Sequence, residues 1–108
     1  KEINTIKCPS TLKRIGKGAI SGCTNLTSIS LNEGLEEIDD EAFLECSSLS
    51  SIEIPESVSE IGTRAFCDCS SLTSINIPSK VEKLASYTFS NCSALTDITY
   101  TDNLNYTS

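Results

Sequence analysis

Cysteines stand at positions 23, 46, 69 and 92, each 23 residues after the last, and the interval is not confined to sulfur. Leu26, Leu49, Leu72 and Leu95 keep it, as do Ile29, Ile52, Ile75 and Ile98. A further column runs Leu31, Ile54, Ile77 and Tyr100, another Leu12, Leu35, Val58, Val81 and Leu104, another Ile15, Ile38, Ile61 and Leu84. A bulky apolar residue recurs as Ile20, Phe43, Phe66 and Phe89. Columns that hold one phase through 108 residues constrain the fold more than any local propensity does. A unit of 23 residues cannot enclose a core alone, so units must stack and bury a shared one.

The unit reads L-x-x-I-x-I/L-P-x-x-V/L-x-x-I-G-x-x-A-F-x-x-C-x-x, with Leu49 to Ser71 as its cleanest copy. L-x-x-I-x-I carries the alternation of a short strand, which predicts parallel strands near 3–8, 26–31, 49–54, 72–77 and 95–100 in one curved sheet of five. Neighbouring strands would lie about 4.8 Å apart. Pro9, Pro55 and Pro78 stop the strand, because proline has no N–H for a ladder, and Asn32 takes that slot in the second unit. The I-G-x-x-A-F-x-x-C stretch spaces its apolar residues three to four apart, which predicts a helical or 3₁₀ turn on the opposite side. Gly16 and Gly62 suit a tight turn before it, although Asp39 and Ala85 fill the same slot.

These signatures, I-P, I-G and A-F-x-x-C at this spacing, resemble the BspA-like leucine-rich repeats, the Treponema pallidum type. Ile20 in place of Phe, Asn32 in place of Pro, and Ala85 with Thr88 in place of Gly and Ala are the departures. The resemblance spans nearly the whole chain. The expected fold is a right-handed α/β solenoid with its parallel sheet on the concave face and short helical or 3₁₀ turns on the convex side. Residues 1–108 form one array of about four full repeats plus partial ends, expected to be a piece of a longer protein. Uncapped units at both ends predict end-to-end self-association.

The six cysteines invite disulfide or zinc readings. A ladder with rungs about 4.8 Å apart cannot converge on one tetrahedral ion, and Cys23, Cys46, Cys69 and Cys92 read instead as small buried hydrophobes. Cys8 lies in a core column, while Cys67, in a column otherwise of Ser21, Leu44 and Ser90, is the odd one. The acidic run Glu33, Glu36, Glu37, Asp39, Asp40, Glu41 and Glu45 lacks the D-x-D-x-D-G order of a calcium loop. Residues 23 apart become lateral neighbours, which pairs Lys13 with Glu36, Arg14 with Glu37, Lys17 with Asp40, Glu41 with Arg64, and Glu60 with Lys83. No metal site and no cofactor follow from the sequence.

A formal charge of −7 disfavours nucleic-acid binding, and no apolar run approaches the roughly 18 residues of a membrane span. The chain has no histidine, the commonest general base, and no phosphate-cradling glycine loop, so no catalytic residues are assigned. With the Leu and Ile columns inward, the solvent side of the strands presents Thr5, Lys7, Ser28, Ser30, Ser51, Glu53, Ser74, Asn76, Asp97 and Thr99. The last eight are the candidate binding residues. They are small and polar, without the aromatic and arginine anchors that dominate tight interfaces. The resemblance implies a non-enzymatic recognition or adhesion module of a cell-surface or secreted protein, meeting a host or matrix protein. A structural spacer that supports another module is the alternative.

Overall fold

The computed structural model describes residues 3–85, 87–101 and 104–106. Its strands, in chain order, are β1 Thr5–Lys7, β2 Arg14–Ile15, β3 Ser28–Ser30, β4 Glu37–Ile38, β5 Glu60–Ile61, β6 Ser74–Asn76, β7 Lys83–Leu84, β8 Asp97–Thr99 and β9 Asn105–Tyr106. Every pairing is parallel. Thr5 lies beside Ser28, Arg14 beside Glu37, Glu37 beside Glu60, and Ser74 beside Asp97, so the 23-residue interval of the sequence is the register of the structure. Lys83 meets Asn105 instead, a step of 22. The strand over Asn105–Tyr106 extends the tail beyond Leu104, where the repeat pattern stops.

The apolar columns form one core. Leu26, Leu49 and Leu72 are completely buried, as are Leu35, Val58 and Val81. Phe43 and Phe66 stack with ring centroids 5.1 Å apart and 3° between their planes, and Phe89 continues the spine 5.8 Å from Phe66. Each fully buried side chain of this size contributes about 1.5–3 kcal/mol. Ile98 and Tyr100, placed inward by their columns, are 40% and 59% exposed, because the described residues put a neighbouring unit on only one side of the fifth.

Two expectations about the backbone need correction. The sheet is not a continuous five strands: β1 pairs only with β3, β6 only with β8, and a single bridge joins Ser51 to Ser74. The stretch 49–54 forms no strand. Asn76 supplies one reason, since its side-chain Nδ2 donates to the Ile54 carbonyl at 2.8 Å and its Oδ1 accepts from the Ile54 N–H at 3.0 Å. A side-chain amide thus occupies the backbone groups that a neighbouring strand would use. A second, unexpected column of two-residue strands runs β2–β4–β5 with β7–β9, built on Ile15, Ile38, Ile61 and Leu84. Two residues are too short to display a period, so this column escapes pattern reading.

The second correction concerns the turn side, which contains no helix among the described residues. Overlapping turns step along it two residues at a time: Ala42 N–H donates to Asp39, Leu44 to Glu41 and Cys46 to Phe43. The intervening N–H groups leave the turn. Those of Glu41, Phe43 and Glu45 donate to the carbonyls of Thr63, Ala65 and Cys67 in the next unit. A 3₁₀-helix would keep them all internal. What prevents it is the backbone at Glu41 and Glu45, where φ is 59° and 62°, as at Arg64, Asp68, Tyr87 and Asn91 in later units. The first unit places Gly18 and Gly22 at these positions. Left-handed residues four apart are incompatible with a right-handed helix.

Gly62 has a different reason for being glycine. A Cβ there would lie 2.5 Å from the Asp40 nitrogen and 2.7 Å from the Asp39 carbonyl carbon, both backbone atoms of the preceding unit. At Gly16 nothing lies within 4 Å of such a Cβ. No described helix is long and apolar enough to cross a membrane.

Candidate functional site

Short β-branched strand centres, Ile29, Ile75 and Ile98, place their small polar neighbours on the opposite face. Ser28, Ser30, Ser51, Glu53, Asp97 and Thr99 are exposed there, and Ser74 and Asn76 are half-buried. Thr5 and Lys7 extend the face at its first unit. Two adjoining cavities indent it. One, of about 390 Å³, is lined by Ile29, Ser30, Leu31, Glu33, Glu53, Ile54, Pro55, Glu56 and Asn76. The other, of about 400 Å³, is lined by Ser51, Ile52, Glu53, Ser74, Ile75, Asn76 and Thr99. Glu53 and Asn76 stand between the two. Asn76 is committed to Ile54, so it shapes the face more than it offers free donors. Ser28 and Asp97 lie outside both cavities.

Glu33 and Glu56 border the first cavity and were not among the candidate residues. They follow the strand, in the turns closed by Leu35 N–H to Asn32 and Val58 N–H to Pro55. The signal was available: 33 and 56 are one column, and both carry glutamate.

The acidic run disperses into lateral pairs. Glu36 meets Lys13 at 4.0 Å, Glu37 meets Arg14 at 3.8 Å, and Glu41 meets Arg64 at 3.7 Å. Asp39, not anticipated as a partner, takes the strongest contact with Arg14. That hydrogen bond, with a second from the Asp40 N–H, holds the Asp39 carboxyl below the usual carboxylate range. Among the described residues no ion pair joins Lys17 to Asp40 or Glu60 to Lys83. Asp40 instead accepts the Thr63 N–H at 2.8 Å, linking successive units through a backbone amide. Exposed pairs of this kind contribute about 0–1 kcal/mol each.

The thiols belong to the core. Cys46 Sγ donates to the Ile20 carbonyl at 3.2 Å, Cys69 to Phe43 at 3.2 Å and Cys92 to Phe66 at 3.0 Å. Each rung thus ties its unit to the preceding one. Burial pushes Cys46 and Cys92 up to about 11, and Cys69 higher still. Cys8 and Cys67 are also buried, and desolvation raises both. Cys92 is only partly covered. Among the described residues no three metal-ligating side chains of the His, Cys, Asp and Glu types converge.

Comparison with known proteins adds relatives to this geometry. The model of the BspA type leucine rich repeat region matches residues 1–108 in six copies. A leucine-rich repeat protein from Eubacterium ventriosum superposes with a TM-score of 0.74 at 24% identity, over 92% of this chain and 33% of that one. A leucine rich cell surface protein from Faecalibacterium prausnitzii gives 0.66 at 32% identity, over 93% and 32%. The leucine rich repeat protein of T. pallidum gives 0.65 at 34% identity, over 88% and 55%. The chain therefore spans about a third to a half of the length of these structures. No curated protein matches it.

Proposed function

The chain belongs to the BspA-type leucine-rich repeat family, and from that premise we propose that it is a non-enzymatic protein-recognition module of a cell-surface or secreted protein. The observation that carries this reading is the strand face. Where its strands pair, its polar residues keep 23-residue register, while Ile29 and Ile75 between them are buried. A solvent-facing, indented surface suits a protein partner, and many weak contacts along a longer array would sum to useful affinity. The similarity to a protein described as a cell surface protein of Faecalibacterium prausnitzii supports the location. The partner class is a host or matrix protein. Titration of the chain against immobilised matrix and host-surface proteins tests the reading. Saturable binding, lost when Ser51→Arg, Glu53→Lys and Ser74→Arg are combined, is the expected result; no saturable partner, or indifference to those changes, favours a spacer.

End-to-end association of chains is a further part of the proposal. Its support is an apolar cavity of about 320 Å³ lined by Leu84, Phe89, Ile98, Tyr100 and Leu104. Light scattering at rising concentration should show mass above the monomer, and a strictly monomeric sample refutes it.

A further inference from the structure

The apolar cavity of about 320 Å³ lined by Leu84, Phe89, Ile98, Tyr100 and Leu104 is a socket that the repeat has already filled twice. The residues 23 positions earlier are Ile61, Phe66, Ile75, Ile77 and Val81, all buried, and the ring that stacks on Phe66 is Phe89 of the next unit, at 5.8 Å. One unit further back stand Ile38, Phe43, Ile52, Ile54 and Val58, also buried, and there the stacking ring is Phe66, at 5.1 Å. Among the described residues no second ring stacks on Phe89, which is half-buried where Phe43 and Phe66 are completely buried. The backbone beside the cavity repeats too. Phe43 N–H donates to the Ala65 carbonyl and Phe66 N–H to that of Thr88, each the residue just before the next ring. The N–H groups of Glu45 and Asp68 donate to Cys67 and Ser90, each the residue just after it. Their equivalents are the N–H groups of Phe89 and Asn91, and neither has a backbone acceptor among the described residues.

We propose that this socket takes a phenylalanine presented on a tight turn of the partner protein, its ring stacking on Phe89 and the carbonyls just before and after it accepting from Phe89 and Asn91. The proposal rests on the recognition reading above and adds one anchored contact to it. An apolar cavity of roughly 150 Å³ already takes a benzene ring, so the socket has room for the whole side chain. Stacked rings gain beyond the area they bury. An aromatic anchor contributed by the partner also answers the scarcity of such residues on the strand face, because interface energy concentrates where a buried ring fills a pocket.

The test uses the whole chain and two blocked, reduced peptides, one copying Gly62–Cys69 and the other carrying alanine in place of its phenylalanine. Calorimetric titration should show the first binding and the second weaker by about tenfold or more, the scale of one buried aromatic side chain. Tyr100→Asp, at an exposed residue of the cavity wall, should weaken the first peptide by a similar factor. Ser28→Asp, on the strand face of the second unit, should change it less than twofold. The amides of Phe89 and Asn91 should become protected from hydrogen exchange on binding. Equal binding of the two peptides, or binding of neither, overturns the proposal. Equal losses from Tyr100→Asp and Ser28→Asp overturn it too, as does unchanged exchange at Phe89 and Asn91. A strictly monomeric chain that binds the phenylalanine peptide supports the socket while refuting end-to-end association. A protein partner whose binding survives both Tyr100→Asp and excess peptide refutes the socket while recognition by the strand face stands.

Discussion

The turn side and the strand side of this molecule are built on the same period, yet only one of them is continuous. On the turn side, Gly18, Ile20 and Gly22 donate to the second unit, Glu41, Phe43 and Glu45 to the third, and Phe66 and Asp68 to the fourth. On the strand side the hydrogen bonds stop after β3, resume as one bridge at Ser51, and become a strand pair again only at β6 and β8. The turn side tolerates no slip because its donors alternate with internal turn bonds and its backbone is held at fixed left-handed positions. On the strand side a half-buried side chain, that of Asn76, occupies the backbone groups of Ile54. Register is therefore kept by the turns and the core, and the strand face is free to vary.

Substitutions can break this contrast. Phe66→Ala removes the middle ring of the spine and should cost about 3–5 kcal/mol in denaturant unfolding, whereas Ser51→Ala on the strand face should stay within about 0.5 kcal/mol. Equal costs would mean that the two sides share the structural work. Gly62→Ala forces a Cβ into backbone atoms of the preceding unit and should cost about 1–3 kcal/mol. Gly16→Ala meets open space and should be neutral or stabilising by up to about 1 kcal/mol. Asn76→Ala leaves the N–H and C=O of buried Ile54 without their amide partner, and should cost about 1–3 kcal/mol unless the strand pairing closes in its place. Restored protection of the Ile54 amide would distinguish closure from simple loss.

Alkali tests the thiol ladder separately. Cys46 and Cys92 titrate near 11 when folded against an ordinary value of 9.0, so the folded state favours their neutral forms. Their contribution is complete below about pH 9 and is lost as pH rises through 11. Unfolding midpoints should fall across that window, and Cys46→Ser should blunt the fall. Glu45→Gly relieves a left-handed φ of 62° and should stabilise by up to about 1 kcal/mol in denaturant unfolding.

What the sequence made legible was whatever repeats. The 23-residue register, the buried Leu, Ile and Cys columns and the stacked Phe spine all follow from side chains that recur at every level. The polar face follows too, because alternation about Ile29 and Ile75 leaves only one orientation for their neighbours. The turn side misled because apolar residues three and four apart fit a helix, while the positive φ values that forbid one are visible only where Gly18 and Gly22 mark them. At Glu41, Arg64 and Tyr87 the same conformation is adopted by residues that do not advertise it. The reduction of pairing between the third and fourth units to one bridge is illegible for the opposite reason: a single Asn76 reaches across to Ile54, and one residue has no period. Glu33 and Glu56 were missed because attention to strand alternation stops at the proline slot.

The bonds by which Gly18, Ile20 and Gly22 and their equivalents at Glu41, Phe43, Glu45, Phe66 and Asp68 reach the adjoining unit all point forward along the chain, and the thiol contacts all point back. Such a stack has an arrow. Any interior layer offers the same set of donors ahead and acceptors behind, so duplicating or deleting one whole layer leaves matching edges at the join. Lengthening a protein of this kind needs no redesign of its interior, only a copying event of the right size. Its reach can thus change quickly over generations while each layer stays as it was.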